Sequence, residues 1–176
     1  MTRPPFEAPS VVDVAVVTSQ LGRPARGVVG IAARCICGNP TVVATRPRLD
    51  DGTPFPTLYY LSHPAATSAV STLEATGVMA ELAQLLEGEE AAETRAAYRR
   101  AHESYLADRE SIEVVDEIAG FSAGGMPERV KCLHALVAHS LAAGPGVNPI
   151  GDLALARADW TPDRCECAQP GPGAPE

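Results

Sequence analysis

The sequence predicts an α+β fold: a small antiparallel three-stranded sheet packed against four or five helices. Two observations lead to it. Between Gly27 and Leu61, three short runs rich in β-branched residues alternate with turn-forming residues, the pattern of a meander. After Pro64 the apolar residues recur at three- and four-residue spacing, the pattern of amphipathic helices. Apolar residues make up 45% of the chain but aromatics only 5%, so Val, Leu, Ile and Ala must build most of the core.

Each element has its own local signal. Ser10 followed by Asp13 has the spacing of a capping box, and Gly22 with Pro24 just beyond supplies a stop, so a helix is expected over Val11–Leu21. The run Val-Val-Asp-Val-Ala-Val-Val would also suit a strand, but the cap favours the helix. Strands are expected over Gly27–Arg34, Thr41–Thr45 and Phe55–Leu61, with Pro56 placing the third at an edge or a strand start. Gly38, Asn39 and Pro40 mark the first turn, and Asp50, Asp51 and Gly52 the second. Ala65–Leu86 reads as helix with a break at Gly77, and Glu89–Ile112 as one long helix. Gly120–Gly125 is a glycine-rich loop, and Pro127 suits the first turn of a helix reaching Ala142. A second rigid loop over 144–151 precedes a short helix to Ala158. The domain plan is a disordered stretch over residues 1–9, one α+β domain over 10–158, and a disordered Pro/Gly-rich tail over 159–176.

The net charge of −8 is concentrated. From Glu74 to Glu117 there are twelve acids against four arginines, which reads as a solvated helical surface and a candidate surface for a protein partner. No basic cluster points to nucleic acid. No apolar run approaches a membrane span, and no leader pattern opens the chain, so a cytoplasmic protein without a membrane partner is expected. There, five cysteines point to metal, redox or simple burial before structural disulfides.

Cys35 and Cys37 form a C-x-C pair at a turn, where both thiolates can converge on one ion. His63, just past the third strand, is placed to meet them. Cys132 and His134 are further candidate ligands, although on a regular helix from Pro127 they would point about 160° apart. Mixed Cys/His ligation suits zinc best, with an iron–sulfur cluster as the other option. The bland reading is a set of small buried side chains. Cys165 and Cys167 repeat the C-x-C spacing, and four thiolates could in principle build a tetrahedral site, but the polar, disordered character expected of the tail argues against it. A second chemistry rests on Gly124, Gly125, Arg129 and the chain's single lysine, Lys131: glycines ahead of a helix N-terminus can hold an anion. No phosphate-loop order and no nucleophile–base set accompanies them, so no catalytic residue is assigned and whether the chain is an enzyme stays open.

Taken in order, several motifs resemble a bacterial, mostly actinobacterial, family termed domain of unknown function five hundred and one. They are Leu21-Gly-Arg-Pro24, Arg34-Cys-Ile-Cys-Gly38 with Pro40, Phe55-Pro-Thr57, Val130-Lys-Cys-Leu-His134 with Ala138-His139, and Asn148-Pro-Ile-Gly151. The likeness spans roughly residues 11 to 155, and the Lys-Cys-Leu-His run with the later Asn-Pro-Ile-Gly is its most specific part. The resemblance implies no established activity. It directs attention to Cys35, Cys37, His63, Cys132 and His134. Where the family pattern has Thr-Cys-Pro, this chain has Ser62-His63-Pro64, an exchange that keeps metal-ligand capacity and favours a ligand role at position 63. Three functions follow as expectations: a metal-binding protein, a non-catalytic interaction protein using the acidic helices, and an enzyme for a phosphorylated or otherwise anionic small molecule.

Overall fold

A computed structural model of the chain describes residues 4–169 and 171. The remainder of the segments read as disordered, residues 1–3, 170 and 172–176, lies outside the described residues. The order is α1 (Val11–Leu21), β1 (Val28–Arg34), β2 (Pro40–Thr45), β3 (Tyr59–Leu61), α2 (Pro64–Ala75), α3 (Val78–Gln84), α4 (Ala92–Glu110), α5 (Leu133–Ala143) and α6 (Pro149–Arg157). This is the α+β arrangement expected, with one antiparallel sheet in the order β1-β2-β3.

The central strand is buried along its whole length. Successive side chains of a strand face opposite sides. Val42 and Ala44 therefore enter the main core with Tyr59, Leu61 and residues of α2, α4, α5 and α6. Val43 points the other way and packs with Ile31 and Val17 of α1. The sheet is thus covered on both faces, thinly by α1 and thickly by the remaining helices.

Local chemistry explains the ends of the elements. The Ser10 hydroxyl accepts from Asp13 N–H, Asp13 reaches back to Ser10 N–H, and Gly22 closes α1 in a left-handed conformation. Asp13 also receives Arg34 from β1, with Nη1 at 2.6 Å from Oδ1, so one carboxylate caps α1 and ties it to the sheet. The N-terminal stretch runs along the outer edge of β1, where Glu7 exchanges backbone hydrogen bonds with Ile31. The Phe6 ring lies where a Cβ on Gly30 would sit, so a larger residue at Gly30 would have to displace Phe6 from the sheet edge.

The last helix begins at Pro149, inside the loop expected over 144–151, and three further boundaries also differ from the sequence expectation. The third strand is only Tyr59–Leu61, because side chains of α4 serve the backbone before it: Leu58 N–H donates to the Tyr105 hydroxyl oxygen at 2.5 Å, and buried Arg109 donates to the carbonyls of Pro56, Phe121 and Ile118. The long fourth helix opens with a single 3-10 turn over Glu89–Ala91. The fifth helix begins at Leu133 and not at Pro127. Residues 124–131 instead close a compact loop, in which Arg129 N–H donates to the Gly125 carbonyl and Lys131 N–H to that of Gly124. The Lys131 amide, which a helix from Pro127 would pair with the Pro127 carbonyl, is thereby diverted to Gly124.

The Asn-Pro-Ile-Gly motif proves to be a packing device. Asn148 caps α6 by accepting from Gly151 N–H at 3.0 Å, and its amide donates to His139 Nδ1 of α5 at 3.2 Å. A Cβ on Gly151 would lie 2.2 Å from the Leu136 carbonyl oxygen, so only glycine lets α6 approach α5 this closely. His139 is buried and stacked on Tyr59 at 5.7 Å, a core histidine. Among the described residues no helix is long and apolar enough to cross a membrane.

Asp13→Asn should lower stability by about 1–2 kcal/mol at neutral pH, since charge-assisted hydrogen bonds to Arg34 are lost. Arg34 and the Ser10 groups hold the Asp13 carboxyl well below the usual carboxylate range. A depressed acid contributes stability that is present above its unfolded value, about 3.9, and is lost as pH falls through the folded one. Denaturant titrations across this range should therefore show a steeper acid limb in the wild type than in Asp13→Asn.

Candidate metal centre

The turn between β1 and β2 carries the first two thiols. Gly38 N–H donates to the Cys35 carbonyl at 2.8 Å, and Cys35 N–H donates to the Asn39 carbonyl at 2.9 Å. Gly38 sits at φ +91°, a left-handed position that favours glycine, and this tight reversal replaces the strand alternation that would separate the two side chains. Both cysteines are buried.

The segment after α6 folds back over this turn. Ile36 N–H donates to the Pro162 carbonyl at 2.8 Å, and the Asn39 side-chain amide donates to the Gln169 carbonyl at 2.8 Å. Trp160 is buried beside His63, with ring centroids 5.3 Å apart. This docking brings Cys165 and Cys167 onto the first pair. The ligand atoms of Cys35, Cys37, Cys165 and Cys167 all lie within 4.8 Å of one another, and Cys37 Sγ is 3.5 Å from Cys167 Sγ. A zinc–thiolate bond of about 2.3 Å in a tetrahedron implies sulfur–sulfur edges of about 3.8 Å, so these separations suit one ion.

His63 completes the surroundings from another element. It is the N-cap of α2, where Nδ1 accepts from Ala66 N–H at 3.4 Å, and its Nε2 lies 3.1 Å from Cys167 Sγ. Burial pushes its pKa below the ordinary histidine value, which favours the neutral ring. A neutral ring that accepts at Nδ1 carries its proton at Nε2. His63 thus presents an N–H donor, not a lone pair, to the Cys167 sulfur.

The thiols respond to one another electrostatically. Burial opposes ionisation of Cys37, but the amides of Gly171 and Asn39 and the neighbouring thiols outweigh it and bring its pKa down to about 7. Burial and the charge on Cys37 push Cys167 up to about 12, and burial raises Cys35. Repulsion between neighbouring thiolates thus favours ionisation of Cys37 over that of Cys35 and Cys167. A divalent cation at the centre would reverse that balance, since coordinated thiols are deprotonated.

The other expected ligands gather elsewhere. Cys132 is extended, at φ −152° and ψ 109°, and stands just before α5. The divergence of Cys132 and His134 on a regular helix therefore does not arise, and the two meet with Glu74 of α2, with ligand atoms within 4.8 Å of one another. Hydrogen bonding to Cys132 and the charge on Glu74 push His134 up to about 9, while His134 draws Cys132 below the ordinary thiol value. His63 precedes α2 and Glu74 lies eleven positions later, about 16 Å along the helix axis. The five cysteines and histidines read from the sequence thus divide between two places, with His63, Cys35 and Cys37 at one and Cys132 and His134 at the other.

The glycine-rich loop is arranged differently from the anion cradle expected there. Leu136 fills the space beside Gly124, the Arg129 backbone crowds Gly125, and Tyr98 donates to the Arg129 carbonyl at 3.0 Å. At the true start of α5 the Leu133 N–H donates to the Glu74 carboxylate at 2.7 Å, so a side chain of the protein already supplies an anion there.

The family model described as Protein of unknown function (DUF501) matches residues 31–156. The chain belongs to that family. No curated protein and no solved structure matches it. The DUF501 match takes in Cys35, Cys37, His63, Glu74, Cys132 and His134, whereas Cys165 and Cys167 lie beyond it. The signal for these two was the repeated C-x-C spacing, and composition hid it. Glu74 carried no signal at all, being one acid among many on its stretch of helix.

His63→Phe keeps a ring beside Trp160 but removes the cap on α2 and the donor to Cys167. The DUF501 protein so altered should lose about 1–2 kcal/mol in urea denaturation from the missing cap. Metal-free Cys167, having lost a donor that favours its thiolate, should also react more slowly with a thiol reagent in mass-spectrometric mapping.

Proposed function

We propose that this protein binds one zinc-class metal ion through the thiolates of Cys35, Cys37, Cys165 and Cys167. The convergence of two C-x-C pairs from distant parts of the chain within 4.8 Å carries this reading. A tetrahedral set of sulfurs suits zinc or a single iron. A multi-iron cluster, with bridging sulfides between the metals, would spread its thiolates further apart than these are. In this reading His63 donates its Nε2 proton to Cys167 and so orients and stabilises a ligand, as groups around metal sites commonly do. The assignment of position 63 as a direct ligand gives way to that supporting role.

With four protein ligands the site is closed, which is the arrangement of structural and not catalytic zinc. Its role is to fasten the segment from Trp160 to Cys167 onto the β1–β2 turn. Metal binding of this kind adds directly to folding stability because the unfolded chain offers no preformed site.

Protein purified under reducing, oxygen-free conditions should carry at least one tightly held equivalent of metal, that of the four cysteines, by elemental analysis. Cys37→Ser and Cys165→Ser should each lose it. At metal concentrations about a thousandfold above Kd the stabilisation is about 4 kcal/mol, so a chelator should lower Tm by roughly 8–16 °C. A metal-free preparation whose melting is indifferent to both zinc and chelator would end the proposal.

A further inference from the structure

The three groups that meet at the start of α5 make up a second constellation, independent of the four-sulfur centre. Each is fixed by a different part of the fold. Glu74, near the end of α2, is held by Leu133 N–H at 2.7 Å from Oε1. His134 lies in the first turn of α5, with Nδ1 at 3.2 Å from that same Glu74 oxygen. Its other nitrogen, Nε2, lies 3.2 Å from the Thr67 carbonyl oxygen. Cys132 precedes the helix in an extended conformation and brings its sulfur within 4.8 Å of the other two.

The hydrogen bonds decide what this arrangement can hold. His134 Nε2 also lies 3.2 Å from the Ser71 hydroxyl, which can donate or accept, whereas the Thr67 carbonyl only accepts, so a proton on Nε2 suits both neighbours. In that tautomer of the neutral ring the Nδ1 lone pair is directed at a carboxylate oxygen, with a thiol beside it. Two electron-rich atoms 3.2 Å apart repel unless a cation lies between them. The cation is either a proton, giving an imidazolium, or a metal ion. An imidazole whose far nitrogen donates to a backbone carbonyl is also the usual setting of a metal-bound histidine.

We propose that Glu74, Cys132 and His134 form a second metal site that takes a zinc-class divalent transition ion. One carboxylate oxygen, one thiolate and one imidazole nitrogen are a donor set that zinc accepts and that hard cations such as magnesium do not favour. Three protein donors leave a fourth position. The side chains of Glu74 and His134 keep 29% and 26% of their exposure, so that position opens towards solvent and would hold a water molecule. Three protein ligands and one water are the arrangement of catalytic zinc, in contrast to the closed set at the four cysteines. The ligand class is therefore a metal ion with an exchangeable water, which a small oxygen-donor ligand could displace.

Anaerobic titration with Co(II), followed by visible absorption and by elemental analysis, tests the site. The reduced wild-type protein should bind two equivalents. Cys132→Ser should bind one, and Glu74→Gln should weaken the second equivalent about tenfold or more. Glu74→Gln keeps an acceptor for Leu133 N–H, so α5 should stay capped, and circular dichroism serves as the control. In the Cys35→Ser/Cys165→Ser double variant, which lacks the first centre, one equivalent should remain, with the absorption of a single cobalt–thiolate bond. The proposal is overturned if Cys132→Ser and Glu74→Gln bind as much cobalt as the wild type. It is also overturned if the wild type binds a single equivalent that Cys37→Ser removes and Cys132→Ser leaves in place, a result that keeps the four-cysteine reading intact. Should the double variant fail to fold, the comparison of wild type with Cys132→Ser decides alone.

Discussion

Helix α2 is the rod on which both chemical clusters hang. Its cap, His63, faces the sulfur of Cys167, and Glu74 near its other end faces His134. Between these ends Ala66, Val70 and Leu73 are buried in the main core, which fixes the rotation of the helix about its axis. A rotation or slide of α2 would displace both clusters together. The packing of an aliphatic face thereby sets the positions of polar groups that lie about 16 Å apart.

Much of the scaffold was legible because its signals are local. The boundaries of α1 follow from Ser10, Asp13 and Gly22, all of which act within one turn of their own position. The break between α2 and α3 follows from Gly77, which adopts φ +86°. The first two strands and their turn were equally plain. The third strand was overextended because its early backbone is served by Tyr105 and Arg109, residues about fifty positions away that no local pattern reveals. The start of α5 was misplaced for a related reason. Pro127 is a sound opening residue for a helix, but the Gly124 carbonyl captures the Lys131 amide that would bond the Pro127 carbonyl in such a helix.

The clusters were only half legible. Residue types pointed to the right thiols and imidazoles, but spacing could not show which would meet. Helical geometry argues against a pairing of Cys132 with His134, but that geometry does not apply, since Cys132 is extended. The second C-x-C pair stands apart in the sequence because its segment is polar and rich in proline and glycine. That composition disfavours an independent core, but it does not prevent a segment from docking on a preformed surface. Here one large aromatic residue, Trp160, and a few backbone hydrogen bonds to the turn accomplish the docking.

The imidazole of His63 links two kinds of order. One nitrogen holds the first turn of α2 and the other holds a sulfur from the far end of the chain. Protonating or rotating the ring would disturb both contacts at once. By thermodynamic reciprocity, whatever steadies that sulfur also resists fraying of the helix, and fraying loosens the hold on the sulfur in equal measure. The remote carboxyl-terminal segment is in this way a thermodynamic partner of a helix end about a hundred residues earlier in the sequence.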